Sequence, residues 1–168
     1  QSFEEKRLLW MNRSHTAKQA IFAIESALQM GFNVSADLIF ALPEMSTDEW
    51  QRQLQKMISL KPHHISAYSL TLEERTVYHH QVAKKKIKEL DDVNSEEQFL
   101  QAHQLLSNAG YHHYEISNYA SAGHVALHNS SYWNGKLYLG LGPSAHSFNG
   151  KMRQWNVSNN TAYIKALS

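Results

Sequence analysis

The feature that most constrains this chain is its early alternation of capped amphipathic helices with short apolar runs. Thr16 followed by Gln19 forms a capping-box pattern. Ala20, Ile21, Ile24, Ala27 and Leu28 then recur at helical spacing, and Gly31 is the expected stop. The run Asn33 to Phe40 predicts a buried strand, because Leu38-Ile39-Phe40 is continuously apolar. Ser46 with Glu49 predicts a second cap, and Trp50, Leu54, Met57 and Ile58 give the next helix its apolar face. Pro62 closes that turn, and His64 to Leu70 reads as the second strand. Helix, strand, helix, strand with short connections argues for a parallel sheet covered by helices.

Later segments are less regular. Phe3 to Asn12 predicts a short opening helix, and Glu73 to Asn94 reads as a polar excursion. Ser95 with Gln98 has the form of a third capping box, ahead of Phe99, Ala102, Leu105, Leu106 and Ala109. Tyr111 to Tyr119 predicts one strand, which would put Glu115, Ser117 and Tyr119 on a common face. Tyr138 to Leu141 predicts another strand. Asn149-Gly150 marks a hairpin turn before Arg153 to Trp155, and Thr161 to Leu167 predicts a closing helix.

Composition narrows the classes. The 168 residues suffice for a real core. A 42% hydrophobic and 18% charged content is globular rather than disordered. A net charge of +1 provides no strong field for nucleic acid or membrane. The basic run Lys84-Lys85-Lys86 with Lys88 reads as a solvated face, since no aromatic ladder accompanies it. The absence of Cys excludes disulfides and thiolate metal sites within this chain. Neither a spanning apolar run nor a signal peptide is visible, which makes a cytoplasmic protein the default. The chain opens at Gln1 rather than Met and so reads as a fragment or a processed product.

Several residue groups have the chemistry for a site. Asp37 interrupts an apolar strand; it is either a surface carboxylate or one aimed into a cleft, and in parallel α/β folds ligands bind at the carboxy ends of strands. Gln1 and Arg13 lie near element ends. His124 and His128 have the four-residue spacing of a helical ligand pair, but Gly123 and Asn129-Ser130-Ser131 argue against a helix there. His128-Asn129-Ser130-Ser131-Tyr132-Trp133 is the richest cluster, either a capped turn with packed aromatics or a binding segment. Leu139-Gly140-Leu141-Gly142 lacks a phosphate-loop pattern and reads as a turn with close backbone approach.

In order along the chain, Gln1-Ser2-Phe3, Asp37-Leu38-Ile39-Phe40-Ala41-Leu42-Pro43, His64-Ile65-Ser66-Ala67-Tyr68-Ser69-Leu70-Thr71, Tyr114-Glu115-Ile116-Ser117-Asn118-Tyr119-Ala120, His128-Asn129 with Tyr132-Trp133, and Leu139-Gly140-Leu141-Gly142 with Ala145-His146-Ser147 resemble the oxygen-independent coproporphyrinogen III oxidase-like radical-SAM proteins, with most similarity to their heme-chaperone branch. The resemblance implies an α/β fold: the carboxy-terminal part of a partial (β/α)6 radical-SAM barrel over residues 1–75, and a carboxy-terminal α+β extension over residues 76–168. It implies S-adenosylmethionine and a [4Fe–4S] cluster in the intact protein, with the cysteine triad of the cluster absent here. Gln1, Arg13 and Asp37 align with SAM-contacting positions, the segment around Thr71 lines the same cleft, and His128 aligns with a heme contact that Asn129 orients. The implied function is that of a heme chaperone, with oxidative decarboxylation of coproporphyrinogen III as the alternative. This chain alone is expected to be inactive. Implied partners are heme or a porphyrinogen and a membrane-surface or respiratory-protein client, with no nucleic acid. Self-association through the open edge of the strand near Asn33 to Phe40 is a further expectation. Three departures from the pattern stand in loops: Ala41 in place of Gly, Met45 in place of Gln, and Pro143-Ser144 in place of small residues.

Overall fold

A computed structural model describes residues 1–167. The order is α1 (Glu5–Trp10), α2 (Ala17–Gln29), β1 (Ser35–Phe40), α3 (Thr47–Leu60), β2 (His64–Ser69), α4 (Val77–Ala83), α5 (Asp92–Asn108), β3 (His112–His113), β4 (Asn118–Ala120), α6 (Leu127–Trp133), β5 (His146–Phe148), β6 (Arg153–Trp155) and α7 (Asn160–Leu167). Two compact units result, Gln1–Val125 and Ala126–Ser168.

In the first unit the sheet has strand order β1-β2-β4-β3. β1 and β2 are parallel, with Asp37 opposite Ser66 and Leu38 opposite Ala67. β4 then pairs antiparallel to β2, and β3 antiparallel to β4. Alternation along the strands decides what each face does. Ala36, Leu38, Phe40, Ile65, Ala67 and Tyr119 are buried together with Trp50, Leu54 and Met57 of α3 and Ala102 and Leu106 of α5. Each of the larger aliphatic and Phe side chains among them contributes about 2 kcal/mol by leaving water, and each Ala about 1 kcal/mol. β1 thus alternates rather than being buried on both faces as its apolar run suggests: Asp37 is exposed and Ile39 half-buried. The outer edge of β1 carries a backbone bond from Ile39 N–H to the Gln1 carbonyl, 3.0 Å.

Buried polar groups pin the connections. Arg7 forks onto the Glu49 carboxylate at 2.7 and 3.0 Å and also donates to the carbonyls of Pro43 and Glu44. It thereby ties α1 to the loop between β1 and α3. Burial by itself raises the Glu49 pKa, but hydrogen bonds from Arg7 and Lys6 outweigh it and hold the carboxyl below its ordinary range. The Thr16–Gln19 box is complete. At α3 only half of the box forms: Ser46 accepts from Glu49 N–H, while the Glu49 side chain goes to Arg7.

Gln98 lies elsewhere than its sequence pattern suggests. α5 starts earlier, because Asp91 accepts the Asn94 N–H and serves as the N-cap. Gln98 is then buried within the helix, accepting from Ala41 N–H at 2.9 Å and donating to the Met45 carbonyl at 2.9 Å. Trp50 Nε1 donates to the Gln98 carbonyl at 2.8 Å. Ala41 has φ +57°, the left-handed region in which glycine is at no disadvantage. The polar excursion also contains a helix, α4, capped by Thr76.

The expected strand Tyr111 to Tyr119 is a broken hairpin, β3 and β4, because the Glu115 carboxylate accepts from the Ser117 N–H and the Asn118 side chain and folds 114–117 into a turn. Glu115 and Ser117 therefore do not share a strand face with Tyr119.

In the second unit, β5 and β6 form the expected hairpin around Asn149-Gly150, with Phe148 opposite Arg153. Asn149 Oδ1 accepts the N–H groups of Lys151 and Met152. Tyr138 makes one bridge to Phe148 and not a strand. At Gly140 a Cβ would lie 2.1 Å from the His146 carbonyl oxygen, so the backbone there is pressed against β5 as irregular chain, and a turn follows at 142–145. Residues 127–133 are helical, against expectation: the Ser130 and Ser131 hydroxyls donate to the carbonyls of Ala126 and Leu127 four residues back, an arrangement a helix accommodates, rather than capping a turn.

Candidate functional site

The helices α3 and α5 cover one face of the first unit's sheet, and the other face is polar. On β1 it presents Ser35 and Asp37, on β2 His64 and Ser66, and on β4 Asn118. His64 links them. Its Nδ1 is 2.8 Å from Ser35 Oγ and its Nε2 2.8 Å from the Tyr114 hydroxyl. Burial lowers the pKa of His64, against the opposing pull of Asp37 and Glu115, and so favours the neutral imidazole. A neutral imidazole bonded at both nitrogens orients hydroxyls and does not offer a free base.

At the carboxy ends of β1 and β2 this face opens into a groove of about 730 Å³ whose walls include Trp10, Arg13, Ile39, Tyr68, Thr71 and Glu73. Strand ends in parallel α/β sheets are where ligands bind, since loops diverge there and leave polar groups unpaired. The described residues give Arg13 no salt bridge. Gln1 and Asp37 line a smaller cleft of about 140 Å³ beside β1, with Ser35 and Met57. The three residues expected to share one cleft are thus divided: Gln1 and Asp37 line the smaller depression, and Arg13 lines the groove at the strand ends.

His128 belongs to the second unit. It lies exposed on α6, with Nε2 3.2 Å from the Tyr132 hydroxyl and the two rings edge to face at 5.1 Å. Tyr132 in turn meets Tyr138 edge to face at 5.1 Å. The partner of His128 is therefore Tyr132 and not Asn129, whose side-chain nitrogen is buried without a hydrogen-bond partner. Trp133 is 58% exposed. His146 sits on β5 with its ring 6.2 Å from that of Trp155. His124 meets His63 in the first unit with ring centroids 4.4 Å apart and the planes tilted by 38°. Among the described residues no three His, Cys, Asp or Glu gather to hold a metal ion, and no helix is long and apolar enough to cross a membrane.

Sequence reasoning missed His64, Ser66 and Tyr114 as members of the polar face. The alternation Ser35, Asp37 against His64, Ser66 was available as a signal, but the register that sets them opposite each other was not.

The chain superimposes on the coproporphyrinogen III oxidase HemN of Escherichia coli, a radical-SAM enzyme, with a TM-score of 0.71 at 21% identity, covering 99% of this chain and 41% of that one. It is 32% identical over 169 residues to the heme chaperone HemW of Bacillus subtilis, covering 100% of this chain and 45% of the relative. It is 36% identical over 147 residues to the mitochondrial radical S-adenosyl methionine domain-containing protein 1 of Danio rerio, covering 87% of this chain and 33% of the relative. No family model matches. The fold is that of part of a radical-SAM protein. The chain belongs to the oxygen-independent coproporphyrinogen III oxidase-like radical-SAM proteins, and its homologues include heme chaperones. It spans less than half the length of these relatives.

Proposed function

We propose that the protein to which this chain belongs is a cytoplasmic radical-SAM, [4Fe–4S]-dependent protein of heme metabolism that acts as a heme chaperone. The observation that carries this reading is the 30–36% identity to proteins named heme chaperones across 88–100% of the chain. Oxidation of coproporphyrinogen III is the second reading, favoured by the structural likeness to HemN. Within this reading, residues 1–75 are the barrel part and 76–168 the extension.

The residues present do not fit an iron–sulfur cluster, since thiolates hold such clusters and the chain has no Cys. We assign the cluster ligands to chain outside this sequence and derive no step through the cluster. The polar strand ends do suit SAM. Asp37 would accept hydrogen bonds from ribose hydroxyls, Arg13 would fork onto the methionine carboxylate, and Gln1 would supply amide contacts. When bound, SAM supplies the adenosyl group for radical chemistry, and the chain's part is to orient it and exclude water. His128 would offer its imidazole to heme iron, with Tyr132 and Trp133 as apolar faces for the porphyrin. Client recognition, at a membrane surface or by a respiratory protein, belongs to the same proposal.

Heme titration followed at the Soret band tests the chaperone reading. The expected result is weaker binding and a shifted band in His128→Ala and no change in His146→Ala. Unchanged affinity and band position in His128→Ala removes His128 from the site. Anaerobic product analysis of the whole protein separates the two readings: conversion of propionates to vinyl groups selects the oxidase.

A further inference from the structure

The groove at the strand ends contains a donor that the assignment of Arg13 leaves unused. Tyr78, the second residue of α4, lines this groove together with Arg13. Its hydroxyl oxygen is buried and has no hydrogen-bond partner. A buried hydroxyl without a partner costs free energy, and such groups concentrate where a ligand completes them. Its ring makes an edge-to-face contact with Trp10, centroids 5.6 Å apart. Burial, and after it the nearby Glu89, holds the phenol above its ordinary pKa, which keeps it a donor throughout the physiological range.

We infer that Tyr78 and Arg13 together form a carboxylate-binding site, in which the guanidinium forks onto the carboxylate and the phenol donates to the same group. The inference rests on reading the groove as a ligand site. Glu73, on the same wall, gives the site its discrimination: it repels a second bare anion and accepts an ammonium, so a zwitterionic amino-acid end fits as a whole. Two sources of the carboxylate share this chemistry, the methionine end of SAM and a porphyrin propionate.

The test is calorimetric titration of the full chain, Tyr78→Phe and Arg13→Gln with three probes: S-adenosylhomocysteine, methylthioadenosine (which lacks the amino-acid end) and coproporphyrin III. Tyr78→Phe keeps the ring against Trp10, and an unchanged near-UV circular dichroism spectrum shows that the groove wall is intact. The expected result is a loss of tenfold or more, roughly, in S-adenosylhomocysteine affinity in both variants with methylthioadenosine unaffected. The same loss confined to coproporphyrin III also upholds the site and assigns it to propionates. If Arg13→Gln weakens a probe while Tyr78→Phe binds all three like the parent, the role of Tyr78 is wrong and the groove reading stands. Equal losses of S-adenosylhomocysteine and methylthioadenosine in Tyr78→Phe also overturn it, because the contact is then not with a carboxylate. If the parent chain binds none of the probes, the groove reading falls and this inference with it.

Discussion

Every fully buried apolar side chain, from Leu8 to Ala120, lies in the first compact unit, and no described residue from Ala126 onward is buried. The second unit instead leaves Leu127, Trp133, Leu137, Leu139, Leu141 and Trp155 more than half exposed. A stretch of about forty residues has too much surface for its volume to enclose a core. It is organised by hydrogen bonds instead: the β5–β6 hairpin, the Asn156 side-chain amide donating to the carbonyls of Gly140 and Gly142, and the Gly142 N–H donating to the Tyr163 hydroxyl. The first unit is held by what it excludes from water. The second is held by backbone geometry, and its apolar side chains face outward.

That contrast predicts a graded series of effects. The largest is Trp50→Ala. Trp50 is 0% exposed and its indole N–H is bonded to Gln98, so the loss should be about 4 kcal/mol in urea unfolding. A loss under about 1 kcal/mol would mean that the core of the first unit is loosely packed.

Next comes Glu49→Gln, which leaves the buried Arg7 guanidinium without its counter-charge at a cost of about 3 kcal/mol. The sign of its pH dependence follows from the folded pKa lying below the unfolded one. The stabilisation is complete above the ordinary value of 4.5 and is lost as pH falls through the lower folded value. The parent should therefore lose stability below about pH 4.5, and the variant should show a shallower acid limb. Identical acid limbs in the two proteins would contradict the role of the pair.

Gly140→Ala probes the second unit. A methyl placed 2.1 Å from the His146 carbonyl must displace one of the two backbones. We expect a loss of about 2 kcal/mol, confined to the second unit. The readout is hydrogen exchange: faster at the Tyr138 and Phe148 amides, which bond each other's carbonyls across that turn, and unchanged at Ile65 and Leu38. Equal acceleration at all four sites would show that the two units unfold together.

The smallest effect belongs to Trp133→Ser, within about 0.5 kcal/mol, because an exposed side chain has little burial to lose. A larger drop in melting stability would show that this apolar surface is covered in solution.

Much of the first unit was legible from local signals. Thr16 with Gln19, Gly31, Pro62 and the spacing of Trp50, Leu54 and Met57 each report a boundary or a face within a few residues of themselves. The hairpin at Asn149-Gly150 is equally local. The misreadings have two causes, one distant and one local. Ser95-Gln98 has the form of a capping box, yet Asp91 wins the cap and Gln98 is recruited by Ala41 and Met45, 57 and 53 residues away. Tyr111 to Tyr119 looks like one strand until Glu115 folds back on Ser117 and Asn118.

The candidate site divides along the same line. Asp37 and Arg13 stand out in the sequence by residue type and by resemblance. The other members of the polar face, Ser66, His64 and Tyr114, do not, because only strand register places Asp37 opposite Ser66 and ring geometry places His64 between Ser35 and Tyr114. By itself the sequence determined the α/β class, the helix caps and the residue types available for a site, since these depend on near neighbours along the chain. The tertiary structure alone decided which polar groups stay unpaired, as the Tyr78 hydroxyl does, because that depends on what distant segments bring within hydrogen-bond reach.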